Sequence, residues 1–187
     1  GDKFKGKRAK FFIGAAAAPF ADPIEYRPYR LAKKIKAGAN FIQTQLVYDV
    51  GEFRKYMAKA REMDLHHQAY IMAGVGPLKS PGMARYMKKN VPGILVPDEI
   101  IDRMNAAGKP WAEIEKADLT KEDKTARSRA WREEGIQICI DLIQELREVE
   151  GVAGVHIMAI EWEEAVRPIV EGAGLLPRPT VKKVEIV

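Results

Sequence analysis

Short apolar segments rich in β-prone or small residues occur four times in this sequence, at 11–18, 41–47, 69–75 and 152–160. Each is followed by a stretch with helical periodicity, and no Asn-Gly hairpin signal occurs in the chain. Strands that alternate with helices predict a parallel sheet with right-handed connections. The predicted fold class is therefore α/β, built from TIM-barrel-type (β/α) units. Four units correspond either to half of an eight-stranded barrel or to a small open sheet, and periodicity does not choose between them.

The length of the chain predicts one domain. Its 187 residues can bury one sizeable core, so residues 1–187 are expected to form a single, partial barrel domain. Residues 106–130 are poorly patterned and predict an excursion of loop and helix rather than a linker. One long helix is expected from Lys121 to Glu150, with a break near its start as the alternative. Cys139 falls on the apolar period of that helix and is expected to be buried and inert.

Charge and cysteine content narrow the possible partners. The net charge is +5 and the pI about 9.2, which fits a nucleic-acid partner, an anionic small ligand or an ordinary solvated surface. Basic and acidic residues are interleaved, which favours the solvated surface and disfavours nucleic acid. No apolar run approaches the roughly 20 residues of a membrane span. The single cysteine excludes an intrachain disulfide and fits a reducing, cytoplasmic setting.

Adjacent histidines, His66 and His67, fall in the turn after the second predicted helix. Neighbouring imidazoles can bind a metal ion, but such a site needs further ligands. No third ligand is evident from the sequence pattern. The pair is therefore interpreted as part of a surface turn, with no metal site expected.

Polar residues at strand ends are the candidates for chemistry. Gln45 and Tyr48 lie at or just after the end of the second strand, where ligands bind in parallel α/β folds. The Gln45 amide can both donate to and accept from a heterocyclic ring. Ala16 and Ala18, at the end of the first strand, would allow a flat ligand to approach the backbone. The sequence shows no phosphate-binding P-loop and nothing that marks a serine triad.

Three cations, Arg30, Lys33 and Lys34, lie on the helix that precedes the second strand. A charged helix face is usually solvated, and this is the default interpretation. The alternative is that one of these cations reaches an anionic cofactor. The sequence pattern leaves both interpretations open.

The segment 33–45, Lys-Lys-Ile-Lys-Ala-Gly-Ala-Asn-Phe-Ile-Gln-Thr-Gln, followed by Tyr48-Asp49, resembles the methylenetetrahydrofolate reductase family. In that family a lysine-bearing helix leads into Gly-Ala-Asp/Asn, a strand and Thr-Gln. Weaker matches in the same order extend the resemblance over most of the chain. They are Ala16-Ala17-Ala18-Pro19, 73–78 (Ala-Gly-Val-Gly-Pro-Leu), 133–136 (Glu-Glu-Gly-Ile) and 154–156 (Gly-Val-His).

The resemblance implies a flavin-containing (β/α)8 barrel that moves hydride from NAD(P)H, or a protein electron donor, through FAD to methylenetetrahydrofolate. Gln45 matches the glutamine that binds the pterin, with Tyr48 as a second substrate-binding candidate. Arg30, Lys33 and Lys34 match the helix that contacts FAD. Ala16 and Ala18 match the strand end beside the flavin. No catalytic residue is assigned, because the resemblance puts the general acid in the family's N-terminal half.

The resemblance covers only the last four (β/α) units of the family's barrel. Three explanations are considered. The sequence is a piece of a longer protein, which is the favoured explanation, or the chain pairs with a separate N-terminal half, or it self-associates into a homo-oligomer. The competing function is a non-catalytic half-barrel scaffold, or a folate- or flavin-binding module, in a larger redox complex. Neither reading includes a metal, a membrane or a nucleic acid.

Overall fold

Four parallel strands form one sheet in the computed structural model, which describes residues 11–115 and 118–178. The strands are β1 (Gly14–Ala17), β2 (Phe41–Leu46), β3 (Tyr70–Val75) and β4 (Val152–Ile157). Their order in the sheet is β1-β2-β3-β4, and each neighbouring pair is parallel. The predicted α/β class with a parallel sheet is confirmed, and the architecture is consistent with part of a TIM barrel.

Helices connect the strands in the order that the sequence predicts. The α-helices of the described ranges are α1 (Arg27–Lys36), α2 (Val50–Glu62), α3 (Pro81–Asn90), α4 (Asp98–Ala107), α5 (Lys121–Arg147) and α6 (Val166–Gly172). Side-chain caps define several starts: the Asp49 carboxylate accepts from the Glu52 amide at 2.8 Å, and the Ser80 hydroxyl accepts from the Met83 amide at 3.2 Å. Thr120 caps α5, which is continuous from Lys121 to Arg147. The last part of the predicted 106–130 excursion is therefore regular helix.

The first strand is shorter than predicted, because its amino-terminal side is held by a side chain. The Asn40 side-chain oxygen accepts from the Ile13 amide at 2.9 Å, and the Asn40 amide donates to the Ile13 carbonyl at 2.7 Å. Regular pairing with β2 consequently begins only at Gly14. The segment 11–13 precedes the strand rather than forming part of it.

The carboxyl-terminal unit also differs from its predicted bounds. Strand β4 ends at Ile157, three residues before the end of the apolar run. The helical pattern of the sequence starts at Glu161, but a short 3-10 helix, Glu163–Ala165, comes first and α6 begins only at Val166. Glu161 itself has a φ of +52°, a left-handed conformation that cannot continue into a helix.

The two faces of the sheet have different surroundings. On β2, Ile42, Thr44 and Leu46 are buried on the helix-covered face, while Phe41, Gln43 and Gln45 are half-buried on the other. Aromatic rings of Phe12, Phe41 and Tyr70 lie together on that second face, and Phe12 and Tyr70 are 67% and 62% exposed. Within the described residues, β1 and β4 each have one unpaired edge. The second face is therefore open.

The single cysteine is buried, as the sequence predicts. Cys139 lies on the inner side of α5, and burial raises the pKa of its thiol to about 12. Such a thiol stays protonated near neutral pH and is a poor nucleophile. Across the two described ranges, no helix combines the length and the apolar character needed to cross a membrane.

Close packing of α5 on the loop after β3 depends on a glycine. A Cβ added to Gly135 would lie 1.8 Å from the Leu78 carbonyl oxygen. We expect Gly135→Ala to reduce the free energy of unfolding by about 1–3 kcal/mol, because backbone atoms must move apart and the gain in helix propensity does not compensate. Urea denaturation followed by circular dichroism measures the change.

The control for this substitution is Gly82→Ala in the first turn of α3, where the nearest atom to the added Cβ is the Ser80 hydroxyl oxygen at 3.6 Å. Gly82 is exposed, so the control should be neutral or slightly stabilising. Equal stability of the two variants would contradict the close-packing interpretation.

A cationic cleft at the carboxyl ends of the strands

A cleft of about 420 Å3 lies at the carboxyl ends of β1, β2 and β4. Its walls come from these strand ends, from one face of α1 and from Tyr56 on α2. It is the position at which parallel α/β folds bind ligands. The lining residues are Ala16, Ala17, Ala18, Arg27, Arg30, Leu31, Lys34, Gln43, Thr44, Gln45, Tyr56, His156 and Met158.

Helix α1 gives the cleft its positive charge. Arg30 and Lys34 lie four residues apart and therefore on one side of the helix, and both line the cleft. The Lys34 ammonium donates to the Ala16 carbonyl, which holds the cation against the end of β1. Among the described residues, no carboxylate lines the cleft. The cleft therefore suits an anionic ligand.

Gln45 presents an amide to the cleft from an irregular part of β2. The register between β2 and β3 shifts between Gln43 and Leu46. The Gln45 side-chain oxygen accepts from the Leu46 amide at 3.1 Å, which fixes the side-chain orientation. In the part of the chain that the structure describes, the side-chain nitrogen of Gln45 has no hydrogen-bond partner. That nitrogen is available to donate to a ligand.

The hydroxyl of Thr44 stabilises this irregular segment. It accepts from the Gly74 amide at 2.8 Å and donates to the Gln45 carbonyl at 2.9 Å. Thr44 is only 3% exposed. The hydroxyl thus replaces a backbone acceptor at the register shift, where the Gly74 amide would otherwise be buried without one.

His156 is a cleft residue that the sequence analysis did not select. It was named only as the last residue of the Gly-Val-His segment that supports the family resemblance. It lies opposite Gly74 in the β3–β4 register, and its Nδ1 atom is buried without a hydrogen-bond partner among the described residues. An unpartnered buried ring nitrogen beside a ligand cleft is available to a bound molecule or water. The period-two position of His156 on β4 was the signal that could have identified it.

Two predicted site residues lie elsewhere. Lys33 is exposed on α1 and lines a neighbouring groove with Tyr29, Lys55 and Lys59, and it is not part of the cleft lining. Tyr48 is 2% exposed, and its hydroxyl donates to the Gly76 carbonyl at 3.1 Å. Burial raises the pKa of the Tyr48 phenol well above its usual range. This placement favours a packing role for Tyr48 over the predicted substrate contact.

The remaining predicted residues converge. Ala16, Ala18, Arg30, Lys34 and Gln45 all line the one cleft. Small side chains, two cations and an oriented amide together suit an anionic ligand that carries a flat ring. The class of protein indicated by fold and site is a (β/α) protein that binds such a ligand at its strand ends.

The sequence matches the model of the family described as Methylenetetrahydrofolate reductase over residues 1–174. The chain therefore belongs to the methylenetetrahydrofolate reductase family. Family membership confirms the resemblance on which the sequence-based expectations were built.

Curated relatives carry the same description. The chain is 28% identical over 183 residues to methylenetetrahydrofolate reductase 2 of Schizosaccharomyces pombe, covering 90% of this chain and 26% of that protein. It is 24% identical over 170 residues to a probable methylenetetrahydrofolate reductase (NADPH) of Caenorhabditis elegans, covering 88% of this chain and 22% of that protein. The chain thus spans about a quarter of the length of these relatives.

A solved structure is also similar. It is an uncharacterized protein from Clostridium thermocellum that binds two copies of 5-methyl-5,6,7,8-tetrahydrofolic acid. The TM-score is 0.49 at 16% identity, and the match covers 86% of this chain and 51% of that one.

The role of the Thr44 hydroxyl can be tested with an isosteric change. We expect Thr44→Val to lower the free energy of unfolding by about 1–3 kcal/mol, because the buried Gly74 amide loses its acceptor. Urea denaturation measures the loss. Thr125→Val on the exposed side of α5 is the matched control and should change stability little. A Thr44 variant as stable as the Thr125 variant would contradict this assignment.

Proposed function

We propose that this chain forms the folate-binding side and part of the FAD site of a methylenetetrahydrofolate reductase. The reaction converts 5,10-methylenetetrahydrofolate to 5-methyltetrahydrofolate in one-carbon metabolism. The observation that carries the proposal is the position of Gln45 beside Arg30 and Lys34 in one cleft of a chain that belongs to this family.

The cleft residues fit FAD. Arg30 and Lys34 supply positive charge for the two phosphates, and neither is opposed by a carboxylate in the described lining. Ala16 and Ala18 leave space beside the backbone at the end of β1 for a flat ring. FAD bound there would supply the hydride-transfer chemistry. The role of the chain is to bind and orient the ring system and to hold the phosphates.

Gln45 fits the pterin of the folate. Its side-chain oxygen is oriented by the Leu46 amide, so the nitrogen is directed to one position and need not be ordered on binding. An oriented amide can recognise the amide-like edge of a pterin through paired hydrogen bonds. Folate and flavin would then share one cleft, as two flat rings must when hydride passes between them.

The remaining parts of the enzyme lie outside this cleft. The general acid and the rest of the FAD site belong to further (β/α) units that pair with the free edges of β1 and β4 and cover the open face of the sheet, in a longer protein, a partner subunit or a second copy. The electron donor is NAD(P)H or a reduced protein. We also propose a cytoplasmic location, because the single cysteine is a free thiol, as is usual in a reducing compartment.

One observation favours a second function. No carboxylate lines the cleft among the described residues, so this part of the chain supplies no carboxylic acid as proton donor. A non-catalytic module that binds folate or flavin within a larger redox complex would have this property. Folate binding without turnover, with every candidate partner supplied, would favour the module over the reductase.

The flavin assignment distinguishes two adjacent lysines. We expect Lys34→Ala to weaken FAD binding by about tenfold, because a charge-assisted contact to phosphate is lost. Lys33→Ala is the matched control on the same helix and should change FAD affinity by less than about twofold. Flavin retained after incubation and desalting, read from the visible absorption band, measures both.

That flavin experiment uses the chain alone and, in parallel, the chain with an N-terminal half supplied in trans. Retained flavin in the second sample alone would mean that the other half is required. Equal flavin loss in the Lys33 and Lys34 variants would contradict the assignment of the cleft. No retained flavin in any sample would favour the non-catalytic module.

The folate assignment is tested separately at Gln45. In the catalytically competent barrel, we expect Gln45→Ala to lower kcat/KM for methylenetetrahydrofolate by about tenfold to a hundredfold while flavin content stays unchanged. Gln137→Ala, on the exposed side of α5, is the control. Folate kinetics equal to those of the control would remove Gln45 from the site.

A further inference from the structure

Three residues that can bind a metal ion meet in the turn between α2 and β3. The ligand atoms of Asp64, His66 and His67 all lie within 4.8 Å of one another. The sequence pattern offered two adjacent histidines without a third ligand. The folded turn supplies that ligand from the residue two positions before His66.

Backbone conformation brings the three side chains together. Asp64 has a φ of +54°, so the chain reverses direction immediately after α2. A 3-10 helix, Leu65–His67, follows, and buried Leu65 anchors it in the core. The Asp64 carboxylate oxygen lies 2.6 Å from the His67 Nδ1 atom. The two imidazole rings have centroids 3.9 Å apart.

His66 contributes an unsatisfied polar atom. Its Nδ1 is buried and has no hydrogen-bond partner in the described ranges. An unpartnered buried nitrogen costs free energy unless water or an ion satisfies it. This observation is independent of the proximity of the three ligands, and it leaves a His66 ring nitrogen without a competing partner in the described ranges.

We propose that Asp64, His66 and His67 form a binding site for a divalent transition-metal ion such as Zn2+. Two imidazoles and one carboxylate are a ligand set that Zn2+ accepts, with water in the remaining position. Imidazole nitrogen also disfavours Mg2+ and Ca2+, which prefer oxygen ligands. The chemistry of the donor set therefore selects a zinc-like ion over the alkaline-earth ions.

The site closes by small side-chain movements. Ligand atoms bound to one Zn2+ at about 2.0–2.1 Å lie roughly 3.4 Å apart, so the widest pair must approach. The side chains of His67 and Asp64 are 73% and 65% exposed and are free to move. His66 is held in place, because it packs against Gly151, where an added Cβ would lie 3.0 Å from the His66 Cβ.

The position of the site predicts a structural effect of the ion. The turn precedes β3, and Gly151 precedes β4, so the site lies at the amino ends of these strands. The cleft lies at the opposite ends, about six residues or roughly 20 Å away along a strand. An ion here would stabilise the turn between α2 and β3 and would not touch the ligands of the cleft.

Isothermal titration calorimetry of the tag-free, chelator-treated chain with ZnCl2 tests the proposal. We expect one equivalent to bind and the melting temperature to rise. His67→Ala and Asp64→Asn should each weaken binding by about tenfold or more. Asparagine tolerates the left-handed conformation of Asp64, so that variant keeps the turn. Circular dichroism verifies that both variants fold.

The control uses the only other histidine of the chain, His156 in the cleft. His156→Gln should bind one equivalent of Zn2+ with unchanged affinity. In NMR spectra of the histidine rings, Zn2+ should shift the signals of His66 and His67 and leave those of His156 in place. No binding, binding that survives both turn substitutions, or a shift confined to His156 would each overturn the proposal.

Discussion

The hydrogen bonds of the Thr44 hydroxyl hold the two central strands together where their regular pairing is interrupted. One bond crosses to the Gly74 amide, and the other returns to the Gln45 carbonyl of the same strand. Side chains alternate along β2, so Gln43 and Gln45 face the cleft while Ile42 and Leu46 stay in the core. Gly74 allows this approach, because a Cβ there would lie 2.4 Å from the Thr44 carbonyl oxygen. The geometry of the cleft therefore depends on a small polar contact within the apolar core.

Helix α1 divides its cations between two environments. Arg30 and Lys34 share one side and reach the cleft, whereas Lys33, about 100° from Lys34 around the helix, lines the neighbouring groove. The sequence left a solvated face and an anion-binding face as alternatives. The structure places Lys33 outside the cleft, and the proposed anion-binding side carries Arg30 and Lys34. The Lys34 contact with the Ala16 carbonyl ties the anion-binding side to the strand that borders the proposed flavin position.

Much of the fold follows from local sequence signals. Four apolar segments alternate with helical patterns, and Asp49 and Ser80, residue types that favour N-cap positions, begin helices in the structure. The burial of Tyr48 was not predictable, because the residue follows a strand end where both ligands and core are near. The unpartnered nitrogen of His156 depends on register across β3 and β4. The approach of Asp64 to the two histidines depends on one left-handed residue. Each of these depends on tertiary geometry that no local pattern encodes.

The open face of the sheet makes folding depend on what covers it. Phe12 and Tyr70 are largely exposed there, and β1 and β4 each offer a free edge within the described residues. Exposed apolar surface and free edges promote association with any similar surface nearby. Covering this face is therefore coupled to folding, whether the cover lies in the same polypeptide, in a partner subunit or in a second copy. As long as the face is uncovered, aggregation competes with correct assembly.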